Sequence, residues 1–123
     1  MSHTALYVAS AVLAFWGLAH LGATRGAVAG FGDISPDNKR IITMEWIVEG
    51  VALISLAAFV AVATLIDPTS PVASATFGVA TATLVVLAVV SLFTGFRLAF
   101  LPYRLCPLIF LGSAALIAWG AWL

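Results

Sequence analysis

Charge is what this sequence has least of. Its 123 residues include five Lys/Arg and five Asp/Glu, 8% in all, with a formal net charge of zero. A soluble domain carries about 25% charged residues and clothes its surface with them. Ten charges cannot do that for a chain that is 63% hydrophobic, so a soluble globule is excluded. The same apolar content excludes disorder, which requires low hydrophobicity. There is no basic excess, so nucleic acid is not an expected partner. A single cysteine, Cys106, excludes an intramolecular disulfide and reads as a small apolar thiol. No internal repeat and no long polar linker divides the chain.

What the chain has instead is long apolar runs, with a mean hydropathy of +1.18. Four of them, at about residues 4–24, 41–66, 72–96 and 106–123, approach the ~20 residues a spanning helix needs. Without strict alternation they read as helices rather than barrel strands. The expected fold is all-α: one integral-membrane four-helix bundle over residues 1–123, in contact with the lipid bilayer. Ser35-Pro36-Asp37 has the form of an N-cap, a first-turn proline and a first-turn acid, which allows the second helix to begin before its apolar part. Ser70-Pro71 repeats the device for the third. The fourth helix begins either at Pro107 or nearer Pro102, with a kink at Pro107. The first run lacks a basic leader and continues into Trp16 and His20, so it is read as a retained helix rather than a signal peptide.

With four spans, the first and third loops share one side. They carry Arg25, Lys39, Arg40, Arg97 and Arg104, whereas the second loop and both termini carry no Lys or Arg. The positive-inside rule therefore places loops one and three in the cytoplasm and both termini outside, with a bacterial inner membrane as the expected location. Tyr7, Trp119 and Trp122 fall at the outer boundary, and Trp46 and Tyr103 at the inner one.

The ionisable residues near the inner boundary form one layer: His20, Arg25, Glu45, Glu49, Arg97 and Arg104. Glu45 and Glu49 are four apart and share a helix face, where like charges repel unless a cation intervenes. An acid within a spanning helix is a functional candidate by default. Pairing with the arginines would make the layer a structural staple; unpaired, it is a site. His20 with two carboxylates offers metal-ligand types, but no Glu-x-x-His or His-Glu-x-x-His spacing exists, and no metal or other cofactor is expected. A hydrogen bond from His20 to Glu or to a backbone carbonyl is the simpler expectation. Small residues recur at four-residue spacing: Gly22, Gly26 and Gly30 after the first run, and Ser74, Gly78 and Ala82 in the third. Such stripes pack helices closely, within this bundle or in a homo-oligomer seam. The apolar stretch after Arg25 either continues the first helix or forms a re-entrant lid at the interface.

Phe15-Trp16-Gly17-Leu18-Ala19-His20-Leu21 resembles the Gly-x-x-His-Leu pattern of DoxX-like small four-helix membrane proteins. The resemblance covers the first helix and implies the fold; some of those proteins are tied to redox or quinone systems. Arg40, Glu45, Glu49, Arg97 and Arg104 are loosely similar to the arginine-rich site of the four-helix membrane enzymes of eicosanoid and glutathione metabolism. The Asn that those enzymes carry between the charges of their second helix is missing here. Small multidrug transporters share the size and an in-membrane Glu, but on their first helix, where this chain has His20. The expected function is an accessory or association subunit, in a homo-oligomer or a larger membrane complex. The alternatives are a proton-coupled transporter using Glu49, or a membrane enzyme that binds glutathione or a lipid headgroup, with the arginines taking a small anionic or lipid ligand.

Overall fold

The structure is a computed structural model and describes residues 1–123. Four helices account for nearly all of the chain: α1 (His3–Ala29), α2 (Pro36–Ile66), α3 (Pro71–Thr94) and α4 (Leu101–Trp122). All four are long and apolar enough to cross a membrane. The protein is an all-α, multi-pass membrane bundle.

Side-chain caps begin three of the helices. Ser2 Oγ accepts from the Ala5 amide, Ser35 Oγ from Asn38 and Ser70 Oγ from Ala73, at 3.1–3.3 Å. Pro36 and Pro71 follow their caps, where the missing proline N–H costs no hydrogen bond. The α2–α3 connection is locked by Asp67, whose Oδ1 accepts from the Thr69 hydroxyl at 2.7 Å and the Thr69 amide at 2.9 Å. These two donors hold the Asp67 carboxyl below its ordinary range, the hydroxyl contributing most.

Two helices extend beyond their apolar runs, each following one of the two courses the sequence allows. α1 does not stop near residue 24 and no re-entrant lid forms: the helix runs on through Arg25 to Ala29, and the chain reverses in a short turn where Gly32 takes φ +68°. Gly22 and Gly26 lie within it, and in a continuous apolar helix two glycines cost too little to end it. α4 begins at Leu101 rather than 106, with Pro102 in the first turn and Pro107 inside the helix. Buried surroundings make such an internal proline tolerable, because neighbouring helices shield the freed backbone.

α1 packs against α2 and α4, and α3 packs against α4 and α2; across the diagonals no backbones come close, and α2 meets α4 through the Trp46 and Tyr103 rings. The order is an up-down-up-down ring. The Ser2 amide donates to the Gly120 carbonyl at 2.7 Å, which places both termini at one end of the bundle. The other end, where α1 passes to α2 and α3 to α4, carries every Lys and Arg and is called the basic end below. The core is apolar and filled: Leu6, Leu13, Val60, Phe77, Leu84 and Ile117 are fully buried. Outward, Phe15, Phe59, Leu65, Val79, Phe93 and Leu111 are exposed, as lipid-facing residues are.

The closest helix approach occurs at two glycines outside both small-residue stripes. A Cβ on Gly17 would lie 2.7 Å from the Gly50 carbonyl oxygen, and one on Gly50 would lie 2.9 Å from the Gly17 oxygen. Backbone meets backbone there, and nothing flexible can yield. Gly120 serves α1 and α4 in the same way, 2.9 Å from the Ser2 oxygen. Gly22, Gly26 and Gly78 instead face open space, and Ser74 and Ala82 are exposed. Gly30 caps α1, and a Cβ there would meet only α1 backbone. Apart from Ser74, whose Oγ accepts from the Trp122 indole of α4 at 3.4 Å, these positions make no helix packing within the bundle.

Opposite outcomes are expected from one substitution. Gly17→Ala and Gly50→Ala should each destabilise by about 1–3 kcal/mol through overpacking. Gly22→Ala and Gly26→Ala should stabilise by about 0.5–1 kcal/mol through helix propensity. Thermal melts in one detergent compare the four.

The Asp67 turn should respond to pH. Its folded pKa is depressed, so its stabilisation is present above the unfolded carboxylate value and is lost as pH falls through the folded one. Acidification through the Asp67 titration should lower the protection factor of the Thr69 amide, taken against the intrinsic exchange rate at the same pH, and Thr69→Val should reduce that pH dependence.

Candidate functional site

The crossing of α1 and α2 at Gly17 and Gly50 fixes the neighbours of both glycines. His20 lies one turn beyond Gly17, and Glu49 immediately precedes Gly50. His20 is 7% exposed, and its Nε2 lies 3.4 Å from Glu49 Oε1. Its Nδ1 lies 3.3 Å from the carbonyl oxygen of Trp16, one turn back on α1. Thr24 continues that face and donates its hydroxyl to the His20 carbonyl at 2.9 Å.

Both ring nitrogens of His20 thus face oxygen acceptors. A neutral imidazole has one N–H and cannot donate to both. The ring therefore bridges the Glu49 carboxyl of α2 and the α1 backbone, and the tautomer sets which of the two contacts carries the N–H. Glu49 is the open member, with 48% of its side chain exposed.

Aromatic rings enclose the histidine. Trp46, three residues before Glu49 and on the same side of α2, stacks on the imidazole at 5.0 Å and 29°. Trp16 meets it edge-on at 6.1 Å. Tyr103 of α4 stands edge-on to Trp46 at 5.6 Å, and Phe100 stands edge-on to Tyr103 at the same distance. A cavity of about 100 Å³ remains among Trp16, His20, Trp46, Pro102, Tyr103 and Cys106. The Cys106 thiol donates to the Pro102 carbonyl at 3.4 Å. The Trp16 indole Nε1 is buried and has no hydrogen-bond partner.

The arginines expected to share this layer stand apart from it. Arg25, Arg97 and Arg104 are exposed, as is Glu45, and none forms an ion pair. Arg104 lies over the Phe96 ring at 5.7 Å, and the one arginine–carboxylate pair is Arg40–Asp37, exposed and local. The cause is angular. Five residues past His20, Arg25 is turned about 140° from it around α1, and Arg104 is turned about 100° from the inward-facing Tyr103. Shared depth does not bring side chains together when helix phase separates them. No group of three or more His, Cys, Asp or Glu gathers anywhere in the chain.

Comparisons with protein-family models, curated proteins and solved structures find no match. The site therefore rests on its own geometry. Trp16, Trp46, Tyr103 and Cys106 belong to it, although the sequence reads Trp46 and Tyr103 as inner-boundary aromatics, Cys106 as a small apolar thiol, and gives Trp16 no site role. Their signal was spacing: Trp16 to His20 is i, i+4, and Trp46 to Glu49 is i, i+3.

A double-mutant cycle tests the pair. His20→Leu alone leaves Glu49 without its partner, and Glu49→Leu alone leaves His20 without its own. The two together should be less damaging than the sum, with a coupling of about 0.5–3 kcal/mol. Thermal melts of the three variants and the parent measure it.

Proposed function

We propose that this protein is an accessory or association subunit, working laterally in the membrane with its basic end in the cytoplasm of a bacterial cell. The observation that carries the reading is the exposed small-residue face of α3. Ser74 and Ala82 lie open on the bundle surface, and Gly78 has nothing within 4 Å of where a Cβ would stand. Such a stripe lets another helix approach closely, and within the bundle only its Ser74 end is engaged, accepting from the Trp122 indole at 3.4 Å. The filled apolar core supports the same reading, because a transported solute needs a route past side chains that are packed shut. The DoxX-like resemblance of the first helix fits a small multi-pass membrane protein of this kind.

One observation favours a second reading. The His20–Glu49 pair sets an imidazole against a carboxyl that opens outward, the types of group that proton-coupled transport uses.

A photo-crosslinking residue at Ala82 in native membranes tests the first reading. It should give a discrete protein adduct, either a dimer of this chain or one partner, and Gly78→Phe should abolish that adduct while the protein still folds. Absence of a protein adduct at Ala82 overturns the association role. Proton-driven solute uptake by the reconstituted protein, lost in Glu49→Gln, would favour the second.

A further inference from the structure

Arg25, which the sequence groups with Arg97 and Arg104, has a different companion in the fold. Arg25 of α1 and Lys39 of α2 line one open cleft of about 640 Å³, where the end of α1 runs beside the start of α2. The rest of its lining is neutral and includes Thr24, Val28 and Thr43. No carboxylate lines the cleft, and neither cation forms an ion pair. Asp37, the acid nearest Lys39 in the chain, is held by Arg40 at 3.1 Å. Thr24 and Thr43 donate their hydroxyls to carbonyls of their own helices, at 2.9 and 2.7 Å. The side-chain donors that the cleft has to offer are therefore the two cations.

Two like charges on one space raise each other's energy, and an anion between them relieves both. Hydrogen bonds from cations to phosphate oxygens are about twice as strong as neutral ones. Arg supplies a fixed fork of N–H groups and Lys a mobile point charge. Depth says which anion is at hand. Arg25 lies about 33 Å along α1 from His3, just past a hydrocarbon layer of about 30 Å. Lys39 stands in the first turns of α2, a helix of 31 residues. At about 46 Å, that helix is longer than the hydrocarbon is thick. The cleft is thus at headgroup level, where phosphate arrives on a lipid. Basic pockets between helices at a membrane face hold anionic headgroups in this way.

We infer that this cleft binds the phosphate group of an anionic phospholipid, held by Arg25 and Lys39 together. The inference does not depend on lateral association, because the cleft lies between α1 and α2 and the small-residue stripe is on α3. It is also more than the attraction of a basic surface, because Arg97 and Arg104 share the same end of the bundle and do not line the cleft.

The probe is dihexanoyl phosphatidylglycerol, titrated into the ¹⁵N-labelled protein in neutral maltoside micelles. The Gly26 and Ala29 amides and the Arg25 Nε–H should move saturably. Dihexanoyl phosphatidylcholine, whose headgroup has no net charge, should bind about fivefold more weakly or worse. Arg25→Gln and Lys39→Gln should each weaken phosphatidylglycerol binding about fivefold, and Arg97→Gln and Arg104→Gln by no more than about twofold. Thr43→Glu, which sets a carboxylate in the cleft, should abolish binding. Inorganic phosphate should compete at the same signals, more weakly than the lipid. Equal losses from all four cation variants would reduce the effect to general surface charge and overturn the inference, as would equal binding of the two lipids. Inorganic phosphate binding more tightly than phosphatidylglycerol would assign the cleft to a soluble anion and overturn the lipid assignment. Signals that phosphatidylglycerol does not move would overturn the site itself.

Discussion

The contact between the backbones of Gly17 and Gly50 sets the rest of this bundle. Where two glycines face each other, α1 and α2 approach to a distance that no side chain permits, and each glycine would place a Cβ within 3 Å of the other's carbonyl oxygen. Helices this close leave no room for a long polar side chain to turn aside. The imidazole one turn from Gly17 must meet the carboxylate beside Gly50. Trp46, one turn from Gly50 on α2, must lie along the ring. The polar site is thus a consequence of the packing.

That placement also makes the polar groups tolerable in a membrane. An ionisable side chain well inside a spanning helix costs a few kcal/mol on insertion scales, and pairing lowers the cost. Here a nearly buried histidine is paired with a half-exposed glutamate, so the open edge of the pair is its carboxyl. The five cations do not join them. They lie around the basic end, exposed, as residues that anchor a membrane protein at its interface do.

How much was legible in the sequence followed from which physical signal was strong. Hydropathy located the four helices, and the Ser-Pro pairs at 35–36 and 70–71 marked the starts of α2 and α3, because a cap followed by proline has one good place in a helix. The ends of α1 and α4 were less legible. Gly22, Gly26 and Pro107 are breakers by local propensity; the two glycines cost too little to end an apolar helix, and neighbouring helices shield the backbone freed at Pro107. The layer at the basic end was legible in depth but not in angle. His20 and Glu49 share both; Arg25 and Arg104 share only the first. The packing glycines were hidden for another reason. Gly17 and Gly50 are single residues on different helices, and only the fold pairs them, whereas the conspicuous stripe at Gly22 and Gly26 faces open space.

The dipolar coupling between His20 Nε2 and the Glu49 carboxyl carbon, measured by solid-state NMR in lipid bilayers, tests the central claim most directly. The account predicts a coupling consistent with the 3.4 Å approach of Nε2 to Oε1 in the parent protein. It also predicts that Gly50→Ala, with both coupled residues intact, loses that coupling because the helices are forced apart. A parent protein without the coupling, or a Gly50→Ala variant that keeps it in full, would contradict the claim that the glycine contact builds the site.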